Sequence, residues 1–119
     1  MKLEIYQTEK KDFTFFSFDY NVKHHQIEDT LDLRKFGYKR VYSNNGIERG
    51  DSELELLEKL YILFNRDDRP YAKKMRSLSV SDIVMLDDRA YYCDSMGFKR
   101  IKVFDSRVKP REAVMQRDQ

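Results

Sequence analysis

Residues 2–6 alternate, with Leu3 and Ile5 on one side and Lys2, Glu4 and Tyr6 on the other, so the chain opens as a strand with one face turned inward. A second strand is predicted over residues 13–18, where Phe13, Phe15, Phe16 and Phe18 form the most apolar stretch, although the doubled Phe15-Phe16 leaves its register open. From residue 27 to residue 36 the pattern reads as a helix. Asp29 or Thr30 can cap it, Leu31 and Leu33 pack, and Gly37 supplies a left-handed stop. Residues 38–42 alternate again and run into Ser43-Asn44-Asn45-Gly46, a strong turn signal.

The clearest helix follows. Ser52 with Glu55 three residues on is a capping box, and Leu54, Leu57, Leu60 or Tyr61, and Phe64 recur at helical spacing. Asn65 is the expected C-cap, and Pro70 prevents continuation. Ser77-Leu78-Ser79-Val80-Ser81 alternates. Ile83-Val84-Met85-Leu86 is a core strand, Asp87-Asp88-Arg89 a tight turn, and residues 90–94 the returning arm of a hairpin. Gly97 interrupts it before residues 98–103 resume an extended run. The fold class is therefore α+β: a small single domain with a mixed or antiparallel sheet of four to six strands, one or two packed helices and a C-terminal β-hairpin. The helix after Ser52 is expected to cover one face. The core is expected to hold Leu3, Ile5, Val41, Leu57, Phe64, Val80, Ile83, Met85, Tyr91 and Phe98. Residues 1–104 form the domain in this reading, and residues 105–119 a basic tail, frayed or weakly helical.

Length and composition narrow the class. At 119 residues the chain holds one domain and leaves no room for two independent cores. Charged residues make up 37%, yet eight Phe and eight Tyr are too many for a disordered polyelectrolyte. The formal charge is only +2, but it is segregated. Residues 51–68 carry six acids and two bases, residues 69–76 four bases and no acid, residues 77–98 four acids and one base, and residues 99–119 seven bases and three acids. Such a bipolar surface suits steering towards a charged partner. No apolar run reaches the length of a signal segment or membrane span, so no membrane association is expected and the location is taken as cytoplasmic. The single cysteine, Cys93, reads as a buried strand residue.

Catalytic constellations fail one by one. His24 and His25 are adjacent and diverge, and are expected in a solvated loop. Asp82, Asp87, Asp88 and Asp94 resemble a carboxylate cluster, but a calcium loop beginning at Asp82 has Val84 and Leu86 where acids are needed. Ser77, Ser79 and Ser81 lack a nucleophile elbow and a downstream histidine, and the four glycines are too dispersed for a phosphate loop. The expectation is a protein that is not an enzyme, without metal or cofactor. Two surfaces remain. Arg69, Lys73, Lys74, Arg76, Lys99, Arg100 and Lys102, with Tyr71, Tyr91 and Tyr92 as stacking rings, are the candidate nucleic-acid-binding set. Glu53, Glu55, Glu58, Asp67 and Asp68, together with Tyr71, are the candidate protein-partner set, an acidic helix face that mimics phosphates.

The stretch Arg76-Ser77-Leu78-Ser79-Val80-Ser81-Asp82-Ile83-Val84, continuing through Ala90-Tyr91-Tyr92-Cys93-Asp94-Ser95-Met96-Gly97-Phe98, resembles the YodL-like domain family. That family's pattern runs roughly R-S-L-S-V-S-D-V-V, a short turn, then A-Y-Y-V-D-S-x-G-F, and this chain departs from it mainly at Cys93. The likeness extends to Leu3, Ile5, Tyr6 and Gln7, to the Y-x-x-V-Y element at 38–42, and to the acidic helix ending at Phe64-Asn65 before Arg69-Pro70. Residues 8–36 match weakly and the tail after 104 not at all. The resemblance implies a small α+β domain of Gram-positive bacteria and their mobile elements, without a catalytic role. Its namesake looks like a regulator that binds the actin-like cell-shape machinery, and a nucleic-acid-binding accessory of conjugation is a further alternative. Similar stand-alone domains on mobile elements look like anti-defence proteins, so the resemblance implies a role against host defences. The expectation placed first is an inhibitor of a type II RNA-guided CRISPR nuclease, bound to the host nuclease or to its guide RNA. Nothing in the sequence sets an oligomeric state.

Overall fold

The computed structural model describes residues 1–107. Strands β1 (Leu3–Gln7), β2 (Thr30–Asp32), β3 (Lys39–Asn44), β4 (Ile83–Leu86), β5 (Arg89–Cys93) and β6 (Phe98–Phe104) and helices α1 (Phe18–His25) and α2 (Glu53–Leu63) make up the fold. The strands form one mixed sheet in the order β2-β6-β5-β4-β1-β3. All pairings are antiparallel except β2 against β6. The α+β class and the six-stranded upper bound of the expected sheet are therefore observed. Of the tail assigned to residues 105–119, the part from residue 108 on lies outside the described residues. Asp105 and Arg107 form an ion pair, and Arg107 also donates to the Tyr38 carbonyl.

Strand β4 explains the architecture. Its run Ile-Val-Met-Leu has no polar alternation because both faces are buried, as in a central strand covered on two sides. Ile83 and Met85 join one apolar cluster with Phe13, Leu31, Phe36, Tyr38 and Tyr92. Val84 and Leu86 join the other with Leu3, Ile5, Leu57, Leu60 and Phe64. The two clusters share one sheet, so they are not independent cores, and the sheet is covered on both faces. Helix α2 covers one face, through Leu57, Leu60 and Phe64 at i, i+3 and i+7. Helix α1 and the loops between residues 8 and 38 cover the other, with Phe18 and Val22 packed inward.

The capping reading at Ser52 holds: its hydroxyl accepts from the Glu55 N–H at 3.4 Å. One of the proposed inward positions does not, because Leu54 lies on the outer flank of α2 and is exposed, and of the alternatives Leu60 and Tyr61 it is Leu60 that packs inward. Asn65 follows the cap position, taken by Phe64, and its amide donates instead to the carbonyls of Tyr61 and Leu78. The hairpin forms with Leu86 opposite Arg89 across Asp87-Asp88, and Asp87 adopts φ 56°. Among the other expected core residues, Val41, Val80, Tyr91 and Phe98 are half-buried.

Three local readings are corrected. Residues 13–18 are a turn leading into α1, where Ser17 accepts from the Tyr20 N–H, and Lys23, His24 and His25 occupy the last turn beside the helix C-terminus. The two histidines are therefore helical rather than in a loop. His24 is exposed and stacks on Tyr20 at 3.7 Å, while His25 packs against Phe13 and Phe36. The helix expected over residues 27–36 is strand β2 followed by a turn, since Leu31 and Leu33 repeat with a period of two, not 3.6. Residues 77–81 are not a strand. That segment wraps around a buried carboxylate, with Ser81 at φ 86°.

Candidate functional site

That carboxylate is Asp82, fully buried at the head of β4. Its Oδ2 accepts from the Arg76 guanidinium at 2.9 Å, the Ser79 N–H at 2.8 Å and the Gln7 side-chain amide at 3.0 Å. Its Oδ1 is buried without a partner. Burial pushes the Asp82 carboxyl above its ordinary range, against the opposite pull of Arg76, Ser79 and Gln7. Arg76 is also fixed from the other side, where it donates to the Thr8 carbonyl at 2.8 Å. The knot thus ties β1, β4 and the segment at residues 76–79 together at one end of the sheet.

Arg76 leads outward from this knot into a recess of about 580 Å³. The recess lies where β1 ends at Gln7 and β3 begins at Lys39. Its lining carries six basic side chains, Lys10, Arg34, Lys35, Lys39, Lys74 and Arg76, against the single carboxylate of Glu9. Gly37 lines it as well, at φ +75°, and a Cβ there would approach the Thr8 hydroxyl to 3.2 Å. That hydroxyl donates to the Phe36 carbonyl and holds the 33–37 turn against β1. Concentrated positive charge over a concave, partly apolar floor of Val41 and Met75 focuses potential on an anion.

Two exposed aromatic residues contact residues that line the recess. Phe15 is 61% exposed at φ 73°, with its N–H bound to the Ser81 hydroxyl and the Arg76 guanidinium 5.1 Å from its ring. Tyr71 is 57% exposed at φ 54° and sets the turn that carries Lys74 and Met75, its ring edge-on to Tyr42. For a residue with a Cβ, the left-handed region costs about 1–2 kcal/mol.

The expected basic set divides. Lys74 and Arg76 enter the recess, and Lys73 is exposed beside them. Arg69 folds back onto the carbonyls of Arg66 and Met75. Lys99, Arg100 and Lys102 lie on β6, separated from β3 by three strands. They do not form one patch there: Lys99 lies over Phe18 on one face of the sheet, and Arg100 over Tyr91 on the other. Nor are Tyr91 and Tyr92 stacking rings, because Tyr92 is fully buried with its hydroxyl bonded to Asn21 and Phe16, and the Tyr91 hydroxyl donates to Glu53. Within the acidic set, Glu53 is engaged by Arg89 and Tyr91, which hold its carboxyl below the usual range. Asp68 pairs with Arg66, while Glu55, Glu58 and Asp67 are exposed. The residues that sequence reading missed are Lys10, Arg34, Lys35 and Lys39. Their signal was the basic pairs Lys10-Lys11, Arg34-Lys35 and Lys39-Arg40, visible in the chain but spread over three separate segments, of which the one holding Arg34-Lys35 was misread as a helix.

Among the described residues no group of three His, Cys, Asp or Glu is placed to hold a metal ion. No helix there is long and apolar enough to cross a membrane. Cys93 is 2% exposed, and its thiol is pushed up to about 12 by burial, with Asp82 and Asp94 adding to the effect. The domain is thus a small mixed sheet covered on both faces, with a basic recess at one end. The model of the YodL-like domain family matches residues 2–104, and the chain belongs to that family. Nothing matches among curated proteins or among solved structures.

Proposed function

We propose that this YodL-like protein works by binding and not by catalysis, and that its basic recess takes a polyanion, in the first instance a nucleic acid. The observation that carries the reading is the convergence of six bases from four separate segments on one concavity with a single acid. Scattered surface charge does not usually converge in this way, and a phosphate backbone needs such an array of cations. The finer reading is that the anion is the guide RNA of a host RNA-guided CRISPR nuclease and that capture disarms the nuclease in the cytoplasm; it rests on the anti-defence role that the YodL-like resemblance implies. The test is target cleavage by such a nuclease loaded with guide in the presence of the protein. Inhibition is expected for the wild type, and loss of inhibition for Lys39→Glu with Lys74→Glu. Undiminished cleavage across several nucleases, with no shift of guide RNA in a gel, refutes this reading.

A second reading rests on α2, where Leu54, Tyr61 and Ile62 are exposed beside Glu55 and Glu58. An apolar strip edged by acids suits a basic protein surface, whether on the nuclease itself or on the cell-shape machinery. Pull-down of the guide-free nuclease that is lost on reversing Glu55 and Glu58 favours this surface over the recess.

A further inference from the structure

We infer that Phe15 and Tyr71, each in contact with residues that line the recess, are base-stacking platforms and that the site selects single-stranded over double-stranded nucleic acid. The inference rests on the reading of the recess as a polyanion site and names the form of ligand it takes. Five residues other than glycine have positive φ among those described, and two of them are the large exposed aromatics Phe15 and Tyr71. Neither position is required by core packing. Each is instead held by a polar or backbone contact that connects it to the recess. The Ser81 hydroxyl takes the Phe15 N–H at 3.0 Å, and the recess-lining Arg76 lies over the Phe15 ring. The Tyr71 carbonyl accepts from the N–H groups of Lys74 and Met75, which themselves line the recess. Unfavourable backbone geometry persists where surrounding contacts impose it, and it clusters at binding sites. Here its effect is to present two aromatic rings to solvent next to an array of cations.

That combination has a specific chemical match. Phosphates need the cations, and a base needs a π-face, but only an unpaired strand offers both, because in a duplex the base faces are already stacked. Stacking on a protein aromatic contributes roughly 10- to 100-fold in affinity per base and is tolerant of sequence. The guanidinium over Phe15 is held by Asp82 and the Thr8 carbonyl, so it places the ring beside the cations and leaves the phosphates to the other bases.

The test uses fluorescence anisotropy with the full chain, a labelled oligo(U) of about twelve nucleotides, an RNA duplex of equal length, and heparin as an anion without bases. The variants are Phe15→Gly and Tyr71→Gly, chosen because glycine relaxes the positive φ. The expected result is tighter binding of oligo(U) than of duplex. Each variant should weaken oligo(U) by roughly 10-fold or more, keep heparin affinity and keep or raise the melting temperature. Retained stability with lost binding of oligo(U) alone is a signature that a purely structural aromatic cannot give. Unchanged oligo(U) affinity in both variants, parallel loss of heparin, or preference for duplex overturns the inference while leaving the recess as an anion site. Polyglutamate that binds as tightly as oligo(U), and is weakened equally by Phe15→Gly, also overturns it and assigns the surface to an acidic protein. Failure of the wild type to bind either heparin or oligo(U) removes the recess reading itself, and the platforms with it.

Discussion

Asp82→Ala removes the centre of the knot that holds Arg76 at the mouth of the recess. The substitution deletes an acceptor of three hydrogen bonds, one of them from a guanidinium, and leaves the Ser79 N–H without its partner. Breaking a buried ion pair from one side costs about 3–5 kcal/mol. Arg76 keeps 25% of its side chain in solvent and retains the Thr8 carbonyl, so the lower end applies, about 3 kcal/mol. For a domain of this size that corresponds to a fall in melting temperature of roughly 10–15 °C. Urea denaturation followed by circular dichroism reads the loss, and a change below about 1 kcal/mol refutes the structural role assigned to the knot. The pH dependence has a definite sign. The carboxyl is raised in the folded state, so the stability linked to its proton is fully present below the ordinary carboxylate value of 3.8. That stability is lost as pH climbs through the folded value. Asp82→Asn removes this titration. The wild type should therefore lose stability relative to Asp82→Asn on going from about pH 4 to about pH 7. A constant difference between the two proteins contradicts the raised carboxyl.

Leu57→Ala, at a position 1% exposed beneath α2, should cost about 2–5 kcal/mol in the same denaturation experiment. Glu55→Lys with Glu58→Lys should leave stability within about 0.5 kcal/mol per site. Adding Glu53→Lys should lower the melting temperature measurably, because it breaks the contacts to Arg89 and Tyr91. The Cys93 thiol should resist a thiol-specific reagent in the native protein and react once urea unfolds it; fast native labelling contradicts its burial.

The elements legible in the sequence are those whose periodicity and punctuation agree. Strand β1, the capped helix α2 and the β4–β5 hairpin each combine an apolar repeat with a recognisable start or turn. Residues 13–18 and 27–36 were misread because their structure is dictated from outside. Phe13 and Leu31 are buried by the far face of the sheet, and β2 exists only because β6 pairs with it. A helix as short as α1, with one buried polar residue, Asn21, has almost no apolar stripe to read. The same weakness hid the site. Of its six bases, Lys74 and Arg76 belong to a conspicuous run, whereas Lys10, Arg34, Lys35 and Lys39 are brought together only by the return of the chain along β1 and into β3. Tyr91 and Tyr92 looked available because neighbours in a strand alternate, yet with both faces of the sheet covered neither side leaves a ring free.

The salt dependence of binding to a single-stranded oligonucleotide tests the central claim most directly. Counting Lys10, Arg34, Lys35, Lys39 and Lys74 as phosphate contacts, and leaving Arg76 to Asp82, the logarithm of the affinity should fall with the logarithm of salt at a slope of about −3.5. Lys39→Glu with Lys74→Glu should weaken binding and flatten that slope by about 1.4, while Lys99→Glu with Arg100→Glu on β6 should leave it unchanged. A slope near zero in the wild type, or equal flattening by the two pairs of substitutions, contradicts the assignment of the recess as the polyanion site.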